Sequence, residues 1–295
     1  MNNLQLNQEL KKILTSSIIK TDEPLYKYTY TETGGAADIY VEAGTIEDTA
    51  AVIKFAKEHN LPVTYLGNGS NIIIRDGGIR GIVVSLLKLN DIRVEGRTLV
   101  AESGAAIIDA SRLALQHELS GLEFACGIPG SVGGAVYMNA GAYGGEIKDV
   151  VQTVKYMDTS GEIVQFGRDA CCFSYRESYF MHHPGTVILS VCFQLADGVQ
   201  REIREKMDFY LLSRREKQPI ELPNAGSTFK RPAENYAGSL IELCGLKGFS
   251  IGGAQVSTKH AGFIVNTGDA TAKDVLKLIS HIQQAVFEKH GITLE

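Results

Sequence analysis

Arg176 and Ser227 are the residues whose types are best suited to act on a small acidic substrate. Arg176 stands beside Tyr175 in FSYRES (residues 173–178), a polar segment between two strand-like runs. Its guanidinium is a planar, permanently charged fork that matches a carboxylate or a phosphate. An ion pair with the adjacent Glu177 is the plainer alternative. Ser227 follows Gly226 in the turn of LPNAGSTFKRP (residues 222–232), where a hydroxyl can give a proton or bond a ligand. Many serines in turns only cap them. Just ahead, SRREKQP (residues 213–219) offers Arg214, Arg215 and Lys217 as cations, or simply a solvated helix end.

A second kind of chemistry needs no charged side chain. Residues 121–146, GLEFACGIPGSVGGAVYMNAGAYGGE, hold eight glycines and two charged residues, Glu123 and Glu146. Main-chain N–H groups can bind pyrophosphate, and glycine lets them approach closely because no Cβ intervenes. Two segments suit this: Gly67, Asn68, Gly69, Ser70 and Asn71, and then Gly127, Ile128, Pro129, Gly130, Ser131, Gly133, Gly134 and Ala135. Ser70, Asn71 and Ser131 add side-chain donors. Any single glycine is better explained by a tight turn or close packing. Together, the two segments predict a dinucleotide cofactor held by the main chain.

These segments need a scaffold. After an N-terminal helix, AADIYVEA reads as a strand, and TIEDTAAVIKFAKEHN as a helix capped by Thr45 with Ile46, Thr49, Val52, Ile53 and Ala56 on one face. PVTYL completes a βαβ unit. A Rossmann domain is excluded, because the glycine turn leads into Ile72, Ile73 and Ile74 instead of opening a helix. There is no GxxxxGK[ST] motif either. IRVEGRTLVAESGA reads as a hairpin about Glu95 and Gly96, IIDASRLALQHEL as a helix, VVQTVKYMDTSGEIVQF as a hairpin turning at residues 158–161, and TVILSVCFQL as a buried strand. A helix over about residues 201–214 opens a third region. This region ends with the strand GFIVN, a helix carrying Val275, Leu278, Ile279, Ile282 and Val286 at helical spacing, and ITLE, which resembles a strand cut short.

The 295 residues are 44% apolar and carry a net charge of -5, which suits two or three folded domains and gives no field that attracts a polyanion. Nucleic acid is not an expected partner. The N-terminus lacks the apolar core of a signal peptide, and no apolar run approaches the roughly 18 residues of a membrane span. A cytoplasmic protein is expected. Cys126, Cys171, Cys172, Cys192 and Cys244 form no CxxC pair and are expected to be buried free thiols. His182 and His183 have no carboxylate or thiol at ligand spacing, so no metal site is expected.

Six motifs occur in order: YTETGGAAD, LGNGSN, GIPGSVGGAVYMNAGAYGGE, FSYRES, NAGSTFKRP and IGGAQVSTKHAGFIVN. Singly weak, in register they are specific, and over nearly the whole chain they resemble the UDP-N-acetylenolpyruvoylglucosamine reductase family, in its compact form without an extra tyrosine loop. The resemblance implies an α+β protein of three domains. Two of them, residues 1–85 and 86–197, would form an FAD-binding unit of the vanillyl-alcohol-oxidase/PCMH type, and residues 198–295 a substrate-binding domain. It also implies noncovalent FAD, NADPH as reductant, and a UDP-sugar enolpyruvyl ether as substrate for a peptidoglycan precursor. In such enzymes NADPH reduces the flavin and leaves, hydride passes to the outer vinyl carbon, and a serine protonates the other carbon. Ser227 matches the proton-donor serine, and Arg176 the arginine that steadies the enolpyruvyl carboxylate. Tyr175, Arg214, Lys217 and Gln255 fall on substrate-side positions. The family's C-terminal glutamate is expected just past Glu295, and Arg231 stands where many members have asparagine. Two rivals stay open: another FAD-dependent oxidase or dehydrogenase of the same superfamily, with Cys126 as a possible tether, and a non-catalytic nucleotide-sugar binding module.

Overall fold

The computed structural model describes residues 2–295. The chain forms two compact units: one comprises the residues up to Glu23, Ala37–Asn68 and Arg80–Leu212, the other Pro24–Ala36, Gly69–Ile79 and Ser213–Glu295.

The first unit opens with α1 (Asn3–Ile13), started by a capping box between Asn2 and Gln5. Then β1 (Ile18–Pro24), β2 (Ala36–Glu42), α2 (Ile46–Glu58), β3 (Val63–Leu66) and β4 (Ile79–Ser85) build a four-stranded sheet in the order β1-β2-β4-β3. The βαβ unit read from the sequence is present, with β4 lying between its two strands and parallel to β3. Thr45 caps α2, its hydroxyl accepting from Asp48 N at 3.0 Å. Val52, Phe55 and Ala56 bury against Ile39, Val41, Ile82 and Val84. Ile72, Ile73 and Ile74 form no strand; they run through irregular chain before β4.

A second sheet in the same unit holds β5 (Ile92–Glu95), β6 (Thr98–Glu102), β10 (Val151–Met157), β11 (Ile163–Gly167) and β12 (Val187–Gln194), antiparallel in the order β11-β10-β12-β6-β5. The β5–β6 turn works because Gly96 takes φ +60°. Between β6 and β10 come α3 (Ile107–Gln116), the short β7 (Leu119–Ser120), α4 (Val132–Tyr137), β8 (Gly141–Ala142) and β9 (Gly145–Glu146). Ile107, Val132 and Val136 from these helices share one core with Leu99, Val154, Val191 and Phe193 of the sheet. A single helical turn, α5 (Tyr179–His182), precedes β12. After it, β13 (Ala196–Asp197) pairs with β7, and α6 (Gln200–Lys217) follows.

In the second unit, β14 (Asn224–Ser227), α7 (Ala237–Leu243), β15 (Ser250–Ile251), β16 (Ala254–Val256), β17 (Phe263–Asn266) and α8 (Ala272–His290) form an antiparallel sheet, ordered β14-β17-β16-β15, against two helices. Val275, Leu278, Ile282 and Val286 of α8 pack with Ile241, Val256 and Ile264. The helix starts at a Thr271–Asp274 capping box and ends at the left-handed Gly291. Residues 292–295 form no strand: Leu294 is buried in the same core, and the Glu295 carbonyl accepts from Lys230 N at 2.7 Å.

The expectation of buried thiols holds for Cys126 and Cys171, holds only in part for the half-buried Cys192 and Cys244, and fails at Cys172, which is exposed. Cys172 closes a 3-10 turn in the left-handed conformation, one residue past the buried Cys171. Among the described residues no helix is long and apolar enough to cross a membrane, and no group of three His, Cys, Asp or Glu residues is placed to hold a metal.

Asp48 ties the first unit's opening segment down. Its buried carboxylate accepts from Thr15 N (3.1 Å), Ser16 N (2.9 Å) and Ser17 Oγ (2.7 Å). Burial pushes its pKa up, but the hydrogen bonds from Ser17, Thr15 and Ser16 outweigh burial and hold it below its ordinary value of 3.8. A depressed folded pKa contributes stability that is complete above the unfolded value and is lost as pH falls through the folded one. Asp48→Asn is expected to destabilise the protein by about 1–3 kcal/mol at neutral pH. Its melting temperature should also fall less steeply than the parent's from about pH 5 downward. Parallel acid limbs in scanning calorimetry would refute the assignment.

Candidate functional site

In the first unit the two glycine segments meet, although Asn68 and Pro129 are 61 residues apart: Asn68 Nδ2 donates to the Pro129 carbonyl at 2.8 Å. A Cβ on Gly67 would stand 2.4 Å from Ser131 Oγ. That hydroxyl is already in use, since Ser131 caps α4 and accepts from Gly134 N at 3.3 Å. Much of the loop's main chain is satisfied internally. Gly130 N donates to Ile128 O (2.9 Å), Val132 N to Ala105 O (2.8 Å), and Gly133 N to Ser103 O (2.8 Å). Gly133 is needed for packing, because its Cβ would come within 2.8 Å of Ser103 Cβ.

In the second unit, Gly69 takes φ +64°, and a Cβ there would fall 1.8 Å from the Tyr28 carbonyl oxygen. Its own carbonyl accepts from Tyr30 N at 3.0 Å. Among the described residues none accepts a hydrogen bond from the N–H groups of Gly69, Ser70 or Asn71. Three successive unclaimed N–H groups beside a left-handed residue suit a phosphate oxygen. In residues 127–135, by contrast, several N–H groups are already spent on protein carbonyls.

Arg176 occupies a tight turn closed by Ser174 and Glu177, whose side chains bond at 2.9 Å. It is left-handed, at φ +57°. Its guanidinium lies 5.1 Å from the Tyr175 ring and reaches the glycine-rich stretch, where Nη2 donates to Gly141 O (2.9 Å) and Nη1 to Asn139 O (3.3 Å). Two of five N–H donors are thus used, leaving three for a ligand.

The residue behind this arrangement is one that sequence reasoning passed over. Asn139 is 0% exposed at φ +40°. Its Nδ2 donates to Ser174 O (2.8 Å) and Glu146 Oε2 (3.1 Å), and its Oδ1 accepts from Lys148 N (2.9 Å). Glu146 also pairs with Lys148 Nζ at 2.7 Å. Burial raises the Glu146 pKa, but hydrogen bonds from Lys148 and Asn139 and the charges of Lys148 and Arg176 prevail and hold it low. The only sequence signal was an asparagine among glycines, a residue that tolerates the left-handed region.

Ser227 ends β14 within a bulged strand. Asn224 pairs with Val265 and Ser227 with Phe263, so one residue is extra. Gly226 absorbs it at φ +79°, its N–H donating to Asn224 Oδ1 at 2.9 Å. The Ser227 side chain is exposed. Gln255, on β16, donates to Gly248 O (3.3 Å) and Ser250 Oγ (3.0 Å). Arg214 and Lys217 lie in the last turn of α6, which Lys259 anchors by donating to Arg215 O at 2.7 Å. Arg231 stacks on Tyr236 at 4.1 Å. Arg176 and Tyr175 belong to the first unit, while Ser227, Arg214, Lys217 and Gln255 belong to the second.

Unclaimed main-chain N–H groups on an α+β scaffold suit a phosphate-bearing cofactor, and the comparisons give the class as flavin-binding. A family model described as an FAD binding domain matches residues 37–167. The fold is shared with p-cresol methylhydroxylase solved with substrate bound, at a TM-score of 0.50 and 17% identity over 66% of this chain and 43% of that one. Residues 218–295 match the model described as the C-terminal domain of UDP-N-acetylenolpyruvoylglucosamine reductase. The UDP-N-acetylenolpyruvoylglucosamine reductase of Staphylococcus haemolyticus (strain JCSC1435) is 52% identical over 287 residues, covering 97% of this chain and 93% of its own. The crystal structure of UDP-N-acetylenolpyruvylglucosamine reductase from Thermus caldophilus aligns with a TM-score of 0.81 at 31% identity, over 94% of this chain and 97% of that one. The chain belongs to the UDP-N-acetylenolpyruvoylglucosamine reductase family.

Two glycines rank differently as tests of the cradle. Gly69→Ala meets a backbone carbonyl and a positive φ, neither of which can yield, whereas Gly67→Ala meets a hydroxyl that can rotate. Gly69→Ala is expected to purify with little flavin and Gly67→Ala with most of it, as read from visible absorbance per folded protein. The reverse order would refute the placement of the pyrophosphate.

Proposed function

We propose that this protein is an FAD-dependent oxidoreductase that uses NADPH to reduce the enolpyruvyl ether of UDP-N-acetylenolpyruvoylglucosamine. The product is UDP-N-acetylmuramate, made in the cytoplasm for peptidoglycan. Full-length membership of the family is the observation that carries this reading. Residues 1–85 and 86–197, each built around its own sheet, are the two FAD-binding subdomains, and residues 198–295 the substrate-binding domain. Gly69, Ser70 and Asn71 supply N–H donors to the pyrophosphate, and Gly67, Asn68 and residues 127–135 are the other positions assigned to FAD. Cys126 is a poor candidate for a covalent tether, since it is 4% exposed and packed among Leu115, Ile203 and Met207.

Bound FAD, once reduced, supplies the hydride for the vinyl group. The chain's own residues manage charge and the proton. Arg176 holds the enolpyruvyl carboxylate with its three remaining donors and spreads the negative charge that develops beside it. Ser227 gives its proton to the carbon next to the carboxylate. An ordinary alcohol suffices as donor, because an enolate-like carbon is far more basic than a serine alkoxide is reluctant to form in a site closed from water. Tyr175, Arg214, Lys217 and Gln255 contact the remainder of the substrate.

Arg176→Lys is expected to fold and to accept reducing equivalents from NADPH at close to the parental rate, yet to lose most turnover with the enolpyruvyl substrate, because a point charge cannot replace a fork. Equal losses in both half-reactions would instead make Arg176 a support of the fold. Ser227→Ala separates the steps more sharply. Flavin reduction by NADPH should stay near normal, while reoxidation by substrate slows by roughly 10²–10⁴-fold. Substrate affinity should change little, since one hydroxyl bond is worth about 1 kcal/mol. Anaerobic stopped-flow of each step decides the matter: reoxidation at the parental rate would remove Ser227 from the mechanism.

A further inference from the structure

The geometry points to Asn139 as a positioning residue that sets where the Arg176 charge stands, an inference that rests on the role proposed for Arg176. Arg176 comes from a turn 35 residues beyond Gly141, and the carbonyls of Asn139 and Gly141 hold its guanidinium in place. The Asn139 carbonyl follows α4 and the Gly141 carbonyl belongs to β8, whose two-residue pairing with β9 is too short to fix a position alone. The Asn139 amide supplies what the pairing lacks. One hydrogen goes to Ser174 O in the turn that carries Arg176, the other to Glu146 Oε2, and Oδ1 holds Lys148 N beyond β9. A single buried side chain therefore joins the arginine's turn, the loop bearing its acceptors, and the carboxylate whose charge faces it. The amide itself leaves the guanidinium free, so Asn139 acts on substrate only through Arg176.

Glycine is the informative replacement. Asn139→Gly keeps the carbonyl and tolerates φ +40°, whereas alanine would add left-handed strain unrelated to the amide. The expected result is retained FAD, NADPH-driven flavin reduction within about threefold of the parent, and reoxidation by the enolpyruvyl substrate slowed about 10²-fold, the effect of a charge displaced by roughly 1 Å. In the double variant with Arg176→Lys, the two losses should fail to add, because both act through one charge. Additive losses, or equal losses in both half-reactions, would show a merely structural role and overturn the inference. If Arg176→Lys turned over normally, the role of Arg176 would fail and this inference with it. If Arg176→Lys is impaired and Asn139→Gly is not, the inference fails alone.

Should Asn139→Gly lose its flavin, Asn139→Asp supplies a second test. Its carboxylate keeps the Oδ1 acceptor and loses both donors, beside Glu146 and Lys148 of the loop and Arg176 and Glu177 of the turn. Protonation returns one donor; burial and Glu146 favour it, Lys148 and Arg176 oppose it, and in either case it is completed only as pH falls. Reoxidation in the Asp variant, taken as a ratio to the parent, should therefore recover as pH is lowered. A ratio flat across the pH range would overturn the inference.

Discussion

A buried main-chain polar group must find a partner, and a glycine-rich segment with almost no side chains has few to offer. Residues 121–146 meet this demand by borrowing. Their loop bonds to Ser103 and Ala105, their carbonyls at 139 and 141 take the Arg176 guanidinium, and Asn139 fills the remaining gap. The two charged residues of the stretch stand at its ends as clamps. Glu123, 4% exposed, accepts from Ser120 Oγ (2.7 Å) and Gly121 N (2.8 Å) and pairs with Lys206 at 3.6 Å. Glu146 does the same work at the other end with Asn139 and Lys148. Burial alone would make both carboxyls harder to ionise, yet their hydrogen bonds and nearby lysines hold both pKa values down. The low charge of the stretch thus leaves its interior to backbone and shape, with ionised carboxylates kept where they anchor.

Long periodic elements were legible in the sequence for physical reasons. Thr45 announces a helix start because a short polar side chain at that position can reach back to the third N–H. Glu95 and Gly96 announce a hairpin because its turn requires positive φ. Where context overrides propensity the reading failed. Ser227 reads as a turn residue, and a turn-like glycine is indeed beside it, but the glycine serves a bulge inside a strand. The glycine segments were recognisable as a pair, while their division of labour was not. Which N–H groups are spent internally depends on Ser103 and Ala105, more than 20 residues from Gly130, and no local pattern records that. Asn139 was hidden for the same reason, since its three partners come from two separate segments.

Displaced pKa values are often taken to mark catalytic groups. In this protein they mark architecture. Asp48, Glu123 and Glu146 are all depressed, and each is a buried or partly buried carboxylate fastening one segment to another. The proposed chemistry has no need of a tuned acid. Hydride arrival at the vinyl group creates its own strong base one carbon away, so the free-energy problem is the stray negative charge and not the strength of the donor. A fixed cation solves that problem only if its position is settled before the charge appears, since reorganising during the step would return the gain. Two carbonyl contacts hold the Arg176 fork, and a left-handed backbone presents it while three donors stay unspent. Carbonyls suit this task better than a carboxylate would. They orient the guanidinium through neutral acceptors, and the carboxylate near it, Glu146, spends its own hydrogen bonds on Asn139 and Lys148.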